Sequence, residues 1–141
     1  GNTCRSPMAE AILKHKSLDG IAVKSAGIYA LDGGGISENA KRTLDQEGVH
    51  FNHISKQVKE EEIEWADLIL TMTQAHKNMI IQTFEKARNK TYTLKEYVAP
   101  YSSRDVSDPF GGDIYTYKQT YSELNLLIDE LVNKINGGSM D

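Results

Sequence analysis

The sequence predicts an α/β domain, a parallel sheet of about four strands with helices on both faces. Three observations predict it. Helix-like and strand-like stretches alternate along the 141 residues. The run DLILTM at 67–72 is continuously apolar after its first residue, as in a strand buried on both faces. The opening GNTCRSP reads as a tight loop leading straight into a helix, and in such sheets a loop of this kind follows a strand. That first strand is missing from the N-terminus, which begins at Gly1.

The elements follow in order. Pro7 near the start of a helix over about 6–17 costs no hydrogen bond there, and Met8, Ala11, Ile12 and His15 recur at helical spacing. IAVKSAGIYA (21–30) has strand composition and ends in the turn LDGGG. Ser37 caps a second helix that Gly48 stops. A short helix at about 60–66 precedes DLILTM, and another follows over about 74–86. TYTLKEYV (91–98) reads as a strand, then SDPFGG as an irregular loop. A last helix runs over about 113–136, with Leu124, Leu127, Ile128, Leu131 and Ile135 as its buried stripe. One domain therefore spans 1–136, and 137–141 form a linker-like tail.

Composition narrows the function. Hydrophobic residues at 39% and charged residues at 26% are ordinary globular usage. A net charge of −4 argues against nucleic acid or an anionic membrane as the main partner. No apolar run approaches the ~20 residues of a membrane span, and no signal-peptide pattern is present. Cys4 is the single cysteine, which rules out an internal disulfide framework and fits a reducing cytoplasm.

GNTCRS carries the first piece of chemistry. Small residues ahead of a helix let successive backbone N–H groups converge, and the helix dipole adds positive potential. Arg5 can donate two parallel hydrogen bonds to phosphate oxygens, while Asn2 and Ser6 suit holding the loop in shape. Spacing alone leaves a second reading open, a glycine turn capping a helix beside an exposed arginine.

GNTCRSPMAEA resembles the phosphate-binding loop of the low-molecular-weight protein tyrosine phosphatase family. DLILTM followed by a helix, TLKEYV, and SDPFGG before the last helix fit the same family in the same order. The resemblance covers nearly the whole chain and implies a flavodoxin-like fold. It also implies a phosphate-binding loop of Gly1, Asn2, Thr3, Cys4, Arg5 and Ser6, with Arg5 catalytic. The family's nucleophilic cysteine falls two positions ahead of Gly1, so Cys4 is the loop's second cysteine. Cys4 is then either a small structural thiol or a partner for reversible oxidation. The 141 residues by themselves would bind an oxyanion without turning it over, as a catalytically dead form. The tail NGGSMD resembles a linker followed by a family-like start, which an engineered circular permutant or a truncated form would explain.

The resemblance makes Asp108 of SDPFGG the general acid that protonates the leaving group, then the base for the attacking water. Asp105 competes but lacks the following proline; a plain Asp-Pro turn is the simpler reading of the dipeptide. The reaction implied is metal-free phosphoryl transfer through phosphocysteine, with no cofactor, on a phosphorylated protein. GNTCRSP with DPFGG resembles the bacterial protein arginine phosphatases. Thr3 stands where tyrosine-specific members often carry a bulkier aliphatic residue, and Asp108 could pair with a guanidinium leaving group. Phe110 would wall the substrate pocket for either phosphoarginine or phosphotyrosine. A thiol-dependent arsenate reductase would need further cysteines. His53 and His76 lack a Cys or second His at ligand spacing, so no metal site is expected. Trp65 reads as core, KEEEIE (59–64) as a solvated helix start, and the tyrosines at 92, 97, 115, 117 and 121 as packing.

Overall fold

β1, Ile69–Thr71, and β2, Thr91–Thr93, lie parallel with Ile69 opposite Thr91 and Thr71 opposite Thr93. Around them a computed structural model describes residues 4–16, 20–28, 33–98 and 103–136. The order is α1 (Arg5–His15), α2 (Glu38–Gln46), α3 (Glu60–Trp65), β1, α4 (Gln74–Thr83), a 3-10 turn (Glu85–Ala87), β2, α5 (Leu94–Val98) and α6 (Ile114–Asn136). Two apolar clusters sandwich the sheet. The larger joins α1, α2 and α6 through Met8, Ile12, Leu44, Leu124 and Ile128, all at 2% exposure or less. The smaller brings Ile63, Ile80 and Ala87 together on the other side.

Local chemistry explains most boundaries. Ser37 Oγ accepts from Ala40 N to start α2, and Gly48 ends it at φ +77, a conformation that side chains with a Cβ resist. Thr73 caps α4 through His76 N. Lys59 N donates to Glu62 Oε1 at the start of α3, and Glu62 also pairs with Lys56, so the acidic run is partly engaged.

The α/β expectation holds, and among the described residues two strands of the sheet are paired. Four expectations are corrected. Residues 21–26 form no strand of the described sheet; the bridge that follows them joins Gly27 to Gln57. The strand expected over 91–98 stops at Thr93, because Glu96 closes a reciprocal cap there. Thr93 N donates to the Glu96 carboxylate and Glu96 N donates to Thr93 Oγ1, which turns the chain into α5. Trp65 is 44% exposed, with Lys24 Nζ 4.3 Å from its ring centroid. Ile135 sits near solvent at 36%, beyond the buried stripe that ends at Leu131. Gly1, Asn2, Thr3 and the tail 137–141 lie outside the described residues. No described helix is long and apolar enough to cross a membrane.

Candidate active site

The carboxyl end of β1 collects the site. Met72 follows β1, and its carbonyl accepts from Val106 N at 2.8 Å, which hangs the loop before α6 onto the strand end. Arg5, in the first turn of α1, reaches the same place. Its Nη1 donates to the Val106 carbonyl at 2.8 Å, and its Nη2 lies 3.7 Å from Asp108 Oδ2. The guanidinium is 14% exposed and the Asp108 carboxylate 57%. One end of the cation is thus fixed by backbone while the other faces a solvent-reached acid.

The loop carrying Asp108 is shaped by its own sequence. Phe110 N donates to Asp108 Oδ1, and Gly112 N to the Pro109 carbonyl. Gly111 has φ +80. A Cβ on Gly112 would come within 2.8 Å of Thr116 Cβ, so the close approach to α6 requires glycine. Asp113 Oδ1 accepts from Thr116 N and starts α6. Ser107 Oγ donates to Glu123, anchoring the loop's near side to α6. Phe110 stands out at 76% exposure. Asp105, the competing acid, accepts from Gln74 N at 2.8 Å and serves the start of α4.

Cys4 is buried at 6% exposure. Its thiol donates to Ser37 Oγ at 3.5 Å and lies 3.4 Å from the Tyr117 hydroxyl. Burial, followed by the hydrogen bond with Cys4, pushes the Tyr117 phenol above its ordinary value. This cluster ties α1, α2 and α6 together just behind Arg5. His76, on the first turn of α4, borders the same space. Burial and then the Arg5 charge hold its imidazole below the ordinary 6.5 against opposing pulls from Asp105 and Asp108, which favours the neutral ring.

Cys4, Arg5, Ser6, Asp108, Phe110 and His76 border one cavity of about 830 Å3. Of the residues singled out by sequence, those five from Cys4 to Phe110 come together, while Gly1, Asn2 and Thr3 lie outside the described residues. Sequence reasoning missed His76, Val106, Ser37 and Tyr117. His76 could have been found, since it follows the DLILTM strand at its ligand-binding end. Among the described residues, no group of three or more His, Cys, Asp and Glu could hold a metal ion. The arrangement offers a backbone-held cation, a solvent-exposed acid beside it, and the positive end of α1.

Known proteins resemble this chain in sequence and fold. The family model for low molecular weight phosphotyrosine protein phosphatases matches residues 1–139. A protein-arginine-phosphatase of Geobacillus stearothermophilus is 47% identical over 135 residues, 96% of this chain and 90% of that protein. The low molecular weight protein-tyrosine-phosphatase PtpB of Staphylococcus haemolyticus is 38% identical over 131 residues, 93% of this chain and 91% of its own length. The solved structure of the YwlE arginine phosphatase from Geobacillus stearothermophilus superimposes with a TM-score of 0.95 at 46% identity, covering 99% of this chain and 90% of that one. This chain belongs to the low molecular weight phosphotyrosine protein phosphatase family.

Proposed function

We propose that this domain dephosphorylates phosphoarginine on proteins, with Arg5 holding the phosphoryl group and Asp108 moving the protons. The carrying observation is the Arg5–Asp108 pair, 3.7 Å apart at the mouth of the cavity, in a chain 47% identical to a protein-arginine-phosphatase. The nucleophile is the family's cysteine two positions ahead of Gly1. Its thiolate attacks phosphorus, the phosphorus–nitrogen bond breaks, and protonated Asp108 gives its proton to the departing guanidine nitrogen. Asp108 carboxylate then takes a proton from water, which attacks the phosphocysteine and releases phosphate and thiolate. Arg5 and the loop N–H groups at Gly1, Asn2, Thr3, Cys4 and Ser6 meet the charge on the equatorial oxygens. No cofactor enters the cycle. The acidic net charge of −4 favours a protein substrate over nucleic acid.

Phosphotyrosine is the second reading, favoured by the exposed Phe110 ring, which offers a face to an aromatic leaving group. The test is kcat/KM on a phosphoarginine-bearing protein beside a phosphotyrosine-bearing one, using the chain with the cysteine supplied ahead of Gly1. The expected result favours phosphoarginine, and Thr3→Ile lowers that preference. Equal preference before and after Thr3→Ile would leave phosphotyrosine as the better reading.

A further inference from the structure

Arg5, Asp108 and His76 reach one space from three separate elements: the first turn of α1, the loop before α6 and the first turn of α4. Backbone sets the place of His76. Thr73 Oγ1 accepts from His76 N and caps α4, while Asp105 Oδ1 accepts from Gln74 N. One short loop is thus tied to the start of α4 through Asp105 and to Arg5 through the Val106 carbonyl, and it carries Asp108. The acceptors around Arg5 are mostly committed. The Val106 carbonyl takes Arg5, the Met72 carbonyl takes Val106 N, Asp105 takes Gln74 N, and Asp108 Oδ1 takes Phe110 N. The half-buried His76 ring makes no hydrogen bond with any described residue. Burial, and after it the Arg5 charge, favours its neutral form, which keeps one nitrogen lone pair that an imidazolium lacks.

We propose that His76 is a specificity-determining residue, its imidazole accepting an N–H from the guanidinium of phosphoarginine; this rests on the phosphoarginine reading given above and deepens it. The two substrates differ in what they bring besides the phosphoryl group. A phosphorylated guanidinium keeps several N–H donors, whereas a phosphotyrosine ester has none. Asp108 serves the nitrogen that leaves. The other N–H groups need acceptors once the substrate displaces water, because a buried donor left unmet costs more than an ordinary hydrogen bond contributes. Close to Asp108, the His76 lone pair is an acceptor that no described residue has taken. A charged ring in the same place would repel the guanidinium as a like charge. Pairing a substrate N–H with a site acceptor is also how a pocket discriminates most strongly against an analogue that lacks the donor.

The experiment compares steady-state kinetics on a phosphoarginine-bearing protein and a phosphotyrosine-bearing one, using the chain bearing the family cysteine. His76→Phe keeps a flat ring and loses the acceptor; His76→Gln keeps an uncharged acceptor in the amide oxygen. His76→Ala replaces the Phe variant if urea unfolding shows that the larger ring disturbs α4. The ratio of kcat/KM for phosphoarginine over phosphotyrosine should fall about tenfold in His76→Phe, as expected for one hydrogen bond to a charged group. The loss should lie mainly in KM, since the bond forms in the bound substrate as well as in the transition state. His76→Gln should recover most of the ratio. An equal fall on both substrates, or an unchanged ratio in both variants, overturns the proposal and leaves His76 as packing. Failure of the phosphoarginine reading is seen separately, in the unsubstituted protein: absence of phosphoarginine turnover there overturns that reading and this proposal with it.

Discussion

β1 has two sides, and they differ in kind. Toward β2 the strand is paired residue for residue, and the flanking α4, α5 and 3-10 turn close over it through Lys77, Glu96 and Thr91. Toward residues 21–26 the same strand borders an apolar cavity of about 830 Å3. The catalytic candidates sit at the boundary between these sides, with Arg5 tied by the Val106 carbonyl to the closed one and open toward Asp108 on the other. The difference teaches where the site's placement comes from: Arg5 on α1 and Met72 at the strand end both bind Val106.

Substitutions on the two sides should therefore separate. The largest stability effect belongs to the core under α1 and α2. Leu124→Ala empties a fully buried position and should cost about 2–5 kcal/mol in urea unfolding. A loss near zero would mean that the α1–α6 packing is not what holds the site. Next comes Arg5→Ala, which should lower turnover by about 10²–10³-fold in the chain bearing the family cysteine. It should also weaken phosphate binding, readable by calorimetry. Activity surviving that change would remove Arg5 from the phosphoryl site.

A smaller, pH-dependent effect sharpens the closed side. Burial would raise the Glu96 carboxyl, but the hydrogen bonds from Lys77 and Thr93 N, with the charges of Lys77 and Arg104, outweigh it and hold the group below its ordinary 4.5. The unfolded chain then takes up the proton first as pH falls. The stabilisation is present above 4.5 and is lost as pH drops through the lower folded value. Glu96→Gln should flatten the acid limb of a stability–pH curve and leave the alkaline limb alone; an unchanged acid limb would contradict the pairing. Smallest of all, Ile21→Ala on the open side, already 40% exposed, should shift stability by no more than about 0.5 kcal/mol.

Local chemistry was the legible part of this molecule. Ser37, Gly48 and the apolar stripe of α6 announce their helices, and GNTCRS with SDPFGG announces the two ends of the site. The turn into α5 was legible too, since TLKE is a cap signature, but the surrounding Thr and Tyr residues favoured a strand and masked it. What composition could not give were contacts made by backbone or across long separations. A carbonyl such as that of Val106 has no sequence signature, and the meeting of Cys4 with Tyr117 spans 113 positions. Residues 21–30 read as a strand because their side chains suit one, yet over the described part, 21–28, backbone pairing reaches only an isolated bridge at Gly27.

The measurement that bears most directly on the account is single-turnover kinetics of Asp108→Asn on a phosphoarginine-bearing protein, with the cysteine supplied ahead of Gly1. An amide keeps the size and much of the polarity of the side chain but cannot give a proton to the leaving guanidine. The account predicts a fall of about 10²–10⁴-fold in the phosphorylation step with the stability of the fold unchanged. A rate equal to that of the unsubstituted protein would contradict it, and Asp108 would then be no more than the residue that opens an Asp-Pro turn.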